Sequence, residues 1–168
     1  MDNIIFEKCD RKHLKAAIDL STKNTIVYGE ENVEKIGIAR SIIKSDLPYL
    51  YIARQGEKIV ACMLCVPITK EDIEWYECEG YENIFSLERA CVDESFRGLG
   101  IIGKLTKYIL ERFNSSDFYL DTMYYPYKNE NCIKAFEKMG FKQLFVKDWF
   151  DKKHNLHTKW LIMHYKNY

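Results

Sequence analysis

One stretch constrains the fold more than any other: Leu87–Phe113, LERACVDESFRGLGIIGKLTKYILERF. An apolar run ends at Val92, and a polar turn of Asp93, Glu94 and Ser95 follows. Arg97-Gly98-Leu99-Gly100 comes next, with Gly103 close behind. Beyond it Ile101, Ile102, Leu105, Tyr108, Ile109 and Phe113 recur at the spacing of one helix face. The pattern predicts a strand, a glycine-rich turn and a helix over 100–113.

Such a junction is suited to an anion. The first turn of a helix leaves backbone N–H groups without partners, and its dipole adds about half a positive charge there. Glycines let the backbone approach a phosphate closely, and Arg97 can add a two-pronged donor. The plainer reading is an ordinary strand-to-helix turn. Two nucleotide loops fit less well. Gly98 and Gly103 have Walker spacing and Lys104 follows, but Leu105 stands where Ser or Thr must meet magnesium. Gly98, Gly100 and Gly103 match a dinucleotide fingerprint with Asp121 as its acid. That fold, however, places the loop after its first strand.

The rest of the chain supplies a sheet around this unit. Ile4–Cys9 predicts a strand, and Leu14, Ala17 and Ile18 mark a helix. A second helical region begins at Gly29 with Val33, Ile36, Ala39, Ile42 and Ile43 on its face. Tyr49–Ala53 and Ile59–Pro67 flank the turn at Gly56 as a hairpin. Thr69–Glu82 has no clear period and carries the acids Glu71, Asp72, Glu74, Glu77, Glu79 and Glu82. It reads first as a solvated loop and second as a lure for a cationic amine, with Trp75, Tyr76 and Tyr81 hinting at some ordered packing. Strands follow at Ile84–Val92, Phe118–Met123, Phe141–Trp149 and Thr158–Tyr165, with a helix over Asn129–Met139. The expected fold is α/β (α+β): a mixed, mostly antiparallel sheet of about seven strands flanked by about four helices. At 168 residues, one domain over 1–168 is expected.

Composition excludes several classes. Lys and Arg balance Asp and Glu at 25 each, with no basic block, which argues against nucleic acid. No apolar run reaches membrane-spanning length, and MDNIIFEKCD does not read as a signal peptide. A cytoplasmic setting is expected. The six cysteines sit mostly in apolar segments as small hydrophobes. Cys62 and Cys65 have half-site spacing, but residues three apart on a strand face opposite ways. No metal is expected. The histidines His13, His154, His157 and His164 receive no role. Trp149, Phe150 and Trp160 are core or edge aromatics, or the wall of a binding site.

At this point a family resemblance is visible. The element order resembles the GNAT superfamily of acyl-CoA-dependent N-acyltransferases. Arg97-Gly98-Leu99-Gly100-Ile101 looks like its pyrophosphate motif. Asn129-Glu130 with Ala135-Phe136-Glu137-Lys138-Met139-Gly140-Phe141 looks like its second motif. Ile102 departs from the usual Gly or Ala, and Phe136 replaces a tyrosine that often protonates the leaving thiolate. Gly103 can supply the slack at the first of these.

The resemblance implies acetyl-CoA or another acyl-CoA as co-substrate, held by amides of Arg97, Gly98, Leu99, Gly100, Ile101, Ile102 and Gly103. It implies that Ala90, Cys91 and Val92 pair with the pantetheine arm, that Val92 N–H holds the carbonyl oxygen, and that Asn129 and Phe136 are cofactor contacts. An alkyl amine with a pKa of about 10.4 must lose a proton before it attacks. Glu88 and Ser86 share a strand face with Ala90 and Val92 by alternation, while Arg89 points away. Glu88 is either a general base or one half of an ion pair. Tyr124, Tyr125 and Tyr127 can replace the missing acid or simply line a cleft. The expected function is N-acyl transfer to a small-molecule or peptide amine, by a monomer or homodimer. The alternatives are a non-catalytic acyl-CoA-binding module and a nucleotide-binding protein.

Overall fold

The computed structural model describes residues 3–24, 49–126, 128–152 and 155–167. In chain order the elements are β1 (Ile4–Lys8), α1 (Arg11–Asn24), β2 (Leu50–Gln55), β3 (Lys58–Pro67), α2 (Ile73–Tyr76), β4 (Ile84–Val92), α3 (Ile101–Leu110), β5 (Asp117–Tyr125), α4 (Glu130–Lys138), β6 (Lys142–Asp151) and β7 (Leu156–Lys166). A 3-10 turn, Glu94–Phe96, separates β4 from α3. The helix expected after Gly29, with Tyr127 and His154, lies outside the described residues.

The strands hydrogen-bond in the order β1-β2-β3-β4-β5-β7-β6. β4 and β5 run parallel, pairing Ile84 with Asp117 through Ser86 with Tyr119. The pairs β1–β2, β2–β3, β5–β7 and β6–β7 are antiparallel. This is the mixed, mostly antiparallel sheet that the periodicities predict. Contacts divide the chain into two compact units, 1–65 with 89–109 and 66–88 with 110–168.

In the first unit, strand alternation sorts side chains between two helices. Ile52 pairs with Cys62, and the Cys62 thiol meets the Ala17 carbonyl of α1 at 3.7 Å. Tyr51 pairs with Met63 on the opposite face. There α3 packs, with the Tyr108 ring 6.4 Å from Tyr51 and the Thr106 hydroxyl 3.9 Å from the Met63 sulfur. Ile52, Val60, Met63, Leu105 and Ile109 are fully buried. Each such side chain stabilises the fold by about 1.5–3 kcal/mol relative to exposure.

In the second unit, Phe118 is fully buried, with Phe85, Phe113 and Tyr165 around it. The other face of the same strands carries a cluster of Ile68, Tyr76, Cys78, Tyr119 and Ile162, joined by Trp75 and Phe145. This corrects the expectation of a solvated loop over Thr69–Glu82. The stretch contains α2, begun at Asp72, whose carboxylate accepts from the Thr69 N–H and hydroxyl at 2.7 and 2.8 Å. A helix of one turn is too short to display a period, so only its buried aromatics announce it.

The helix expected over 100–113 instead ends at Leu110. The Asn167 side-chain amide donates to the carbonyls of Leu110 and Phe113 at 2.8 and 3.0 Å. It thereby satisfies acceptors that the helix end leaves open. Trp149 and Phe150 lie on the terminal strand β6, 52% and 41% exposed, and so are edge rather than core residues. No helix among the described residues is long and apolar enough to cross a membrane.

Candidate active site

The turn after β4 is built before any ligand arrives. Asp93 N–H donates to the Val60 carbonyl at 2.8 Å, which anchors the end of β4. The Asp93 carboxylate accepts from Ser95 N–H at 3.0 Å, from the Ser95 hydroxyl, and from Lys58 Nζ at 3.1 Å. These contacts, Ser95 first and Lys58 second, hold its carboxyl down at about 2. Arg97 N–H then closes the 3-10 turn on the Glu94 carbonyl at 3.3 Å.

Removing that cap has a definite cost. Asp93→Ala is expected to lower stability by about 1 kcal/mol. A depressed carboxyl stabilises the fold fully above its unfolded value, about 3.9, and loses that contribution as pH falls toward its folded value. Urea melts should therefore show a constant deficit in the variant near neutrality. The deficit should shrink between about pH 4 and pH 2. A deficit that stays fixed across that window would assign the loss to packing instead.

Gly98 and Gly100 follow at φ +78° and +70°, and a Cβ built on either meets no atom within 4 Å. Non-glycine residues reach this region only with strain. Arg97, Gly98, Leu99 and Gly100 are all exposed. The Gly100 carbonyl accepts the first helical bond, from Lys104 N–H at 3.1 Å, so α3 starts at Ile101. Its first-turn amides at Ile101, Ile102 and Gly103 have no carbonyl within the helix to meet. An open turn followed by orphaned donors fits a pyrophosphate. Ile102 is only half-buried there, so its bulk does not plug the turn.

β4 departs from the expected alternation. Arg89 has φ +56°, a left-handed residue inside a strand. Period-two counting therefore does not carry from Glu88 to Ala90 and Val92, and the shared face assigned to them is corrected. Cys91 turns its sulfur onto Cys62 at 3.1 Å, and Ala90 is exposed. Cys62 and Cys65 are both buried within β3.

Glu88 and Ser86 do share a face. Ser86 Oγ donates to Glu88 Oε1 at 2.6 Å and also interacts with the Tyr76 hydroxyl. Burial raises the Glu88 carboxyl above the usual glutamate range, with Asp121 and Asp72 adding to the rise against the Ser86 hydrogen bond. Among the described residues no cation pairs with Glu88. Tyr76 is 4% exposed and its hydroxyl is raised by burial, then by Asp121 and Glu88. The second unit thus holds a half-buried carboxylate that keeps its proton more readily than an ordinary one.

The remaining candidates sit apart from this pair in role. Phe136 is 3% exposed, with its ring edge-on to Phe141 at 5.2 Å. Asn129 caps α4, accepting from Cys132 N–H at 3.3 Å. Tyr125 is 52% exposed, while Tyr124 is half-buried with Lys128 Nζ 5.0 Å from its ring centre. Two contributors went unassigned by sequence reasoning. Tyr76 was hidden in a stretch without periodicity. Asp121 was weighed only as the acid of a dinucleotide fingerprint, not as part of a site on β5.

Comparisons with known proteins fit this geometry. The sequence profile described as the Acetyltransferase (GNAT) family matches residues 15–141. No curated protein sequence matches the chain. Among solved structures, an N-acetyltransferase from Staphylococcus aureus Mu50 superposes with a TM-score of 0.73 at 15% identity, covering 98% of this chain and 99% of that one. The ribosomal-protein-S18-alanine N-acetyltransferase of Escherichia coli gives 0.70 at 12%, over 98% and 94%. A putative acetyltransferase from Salmonella typhimurium, solved with its cofactor acetyl-CoA, gives 0.73 at 11%, over 98% and 94%. At these identities the likeness speaks for the fold, and the profile match over most of the chain speaks for descent. The chain belongs to the GNAT family of acetyltransferases, enzymes that move an acyl group from acyl-CoA to an amine.

Proposed function

We propose that this chain moves an acetyl group from acetyl-CoA directly to a primary amine, with Glu88 as the base that frees the nitrogen. The observation that carries the proposal is the half-buried Glu88 carboxylate, held by Ser86 and paired with no cation among the described residues. A structural ion pair would need a partner. A carboxyl raised above its ordinary range is better matched to taking a proton near neutrality.

The other roles follow along the chain. Amides from Arg97 to Gly103 hold the pyrophosphate, assisted by the Arg97 side chain, and the backbone of Ala90, Cys91 and Val92 lies along the pantetheine. The neutral amine attacks the thioester carbonyl, whose oxygen is held by Val92 N–H, and the carbon–sulfur bond breaks to release the thiolate. A thiol with a pKa of about 8.5 leaves without much help. Tyr124 and Tyr125 therefore act as optional donors, and the hydroxyl missing at Phe136 is not critical. A cytoplasmic setting suits six cysteines that are all free.

Acetyl-CoA is expected to raise the melting temperature of the protein, and thiol release should depend on added amine. The six protein thiols must be subtracted in a thiol-reactive assay. Absence of stabilisation by both acetyl-CoA and CoA would reject the proposal.

A further inference from the structure

All three tryptophans of the chain meet at one place. Trp75 of α2, Trp149 of β6 and Trp160 of β7 line a cavity of about 290 Å³, and Asp121 of β5 is its acidic residue. The sheet register explains the convergence. Asp121 pairs with Ile162, Trp160 with Lys147 and Trp149 with Thr158, all on the face that α2 covers. The Trp75 ring meets Trp149 edge-on at 5.6 Å, and the Trp160 indole N–H donates to the Thr158 hydroxyl at 3.0 Å. Trp149 nevertheless stays half exposed. Large aromatics left open beside a cavity mark binding surfaces more often than packing.

The described lining of the cavity is aromatic and acidic. Indole faces attract ammonium groups, and Asp121 adds a negative charge. Asp121 and Asp72 also act electrostatically on Glu88, so the acids belong to one field. Lys147, which pairs with Trp160 across the sheet, is already engaged. Its ammonium donates to the carbonyls of Glu74 and Trp75, pairs with Glu77 at 3.4 Å, and lies 5.6 Å from the Trp75 ring centre. Its charge is offset where it stands.

We infer that the acceptor is a small amine cation that carries an apolar body and no carboxylate, bound by the three tryptophans with Asp121. The inference rests on the acetyl-transfer reading above and names the substrate class for it. The volume is at the small end of ligand pockets, which run from roughly 300 to 1,000 Å³, and this matches a compact amine body. An amino acid would bring its carboxylate against the Asp121 carboxylate, and like-charge contact is how such sites reject a near-isostere. The ammonium, by contrast, arrives with its proton and is passed to the carboxylate that removes it.

The three tryptophans provide the readout. Phenethylamine and L-phenylalanine share a body and differ by one carboxylate. Each is titrated into the protein, with and without CoA, following intrinsic fluorescence. Phenethylamine is expected to saturate the signal at least about tenfold more tightly than phenylalanine. Asp121→Asn should weaken phenethylamine about tenfold and leave phenylalanine no weaker than before. Trp149→Leu should weaken the amine severalfold while melting like the wild type.

Phenylalanine binding as tightly as phenethylamine would overturn the inference, as would no saturable change with either. Acetyl-CoA stabilisation is measured in parallel. If it persists while the amine preference is absent, the substrate class is wrong and the acetyl-transfer reading stands. If it is absent, that reading has failed on its own account.

Discussion

Replacing Glu88 by glutamine should lower kcat by about a hundredfold or more and yet make the folded protein more stable at neutral pH. The two effects share one cause. Burial, with Asp121 and Asp72, raises the Glu88 carboxyl in the folded state. The folded protein then binds that proton more tightly than the unfolded chain does. Stability falls as pH climbs from the ordinary glutamate range, about 4.3, through the raised folded value. Above it, the native state holds a desolvated charge with no cation beside it among the described residues. Glutamine keeps the shape and an oxygen for Ser86 Oγ to donate to, and it removes the charge.

The rate follows the opposite form of the group. Only the carboxylate can accept a proton, so wild-type kcat should rise with pH through the raised value, and the variant should lose that acidic limb. Urea unfolding and a pH–rate profile on the same preparations make the comparison. A purely structural Glu88 would give a variant that is less stable with its pH profile unmoved, and that pattern would remove it from the reaction.

The second large effect is expected at Gly100. A valine there must adopt φ near +70° or force the turn to change. Holding a branched residue in a sparsely populated region costs about 1–3 kcal/mol. Its Cβ would also stand in the open space that an approaching phosphate needs. The turn should relax toward ordinary backbone, the Ile101, Ile102 and Gly103 amides should no longer converge, and CoA affinity should fall at least about thirtyfold. Calorimetric titration with CoA, beside a circular dichroism melt, reads binding and folding separately. Because the site around Gly100 is exposed, the variant should still fold. Unchanged CoA affinity in a folded Gly100→Val protein would move the pyrophosphate elsewhere.

Features that depend on near neighbours were readable in advance. Gly98, Gly100 and the onset of α3 lie within a few residues of one another, and backbone freedom, helix period and orphaned amides are all local matters. The seven strands followed from alternation and from turn residues. What escaped has one of two origins. Arg89 adopts a left-handed conformation that nothing in an arginine announces, so alternation misplaced Ala90 and Val92. Trp149 and Trp160 were weighed as the wall of a binding site, but their convergence with Trp75 and Asp121 needs α2, β5, β6 and β7 together. Trp75 and Trp149 are far apart in the chain, and only the pairing register brings them to one face. Asp121 obeys the logic that exposed Glu88, an acid flanked by apolar strand residues, and the same test applied to the interior of β5 would have found it.

The boundary between the two units falls between Glu88 and Arg89, inside β4. The glycine turn belongs wholly to one unit, while the tryptophans, Asp121 and Glu88 belong to the other. Under the proposed roles, donor handling and acceptor choice are encoded by separate stretches of sequence. A library randomised at positions 75, 149 and 160 can search new nucleophiles while inheriting its thioester chemistry unaltered. Natural drift has the same freedom, and a scaffold divided in this way can change its clientele without relearning its reaction.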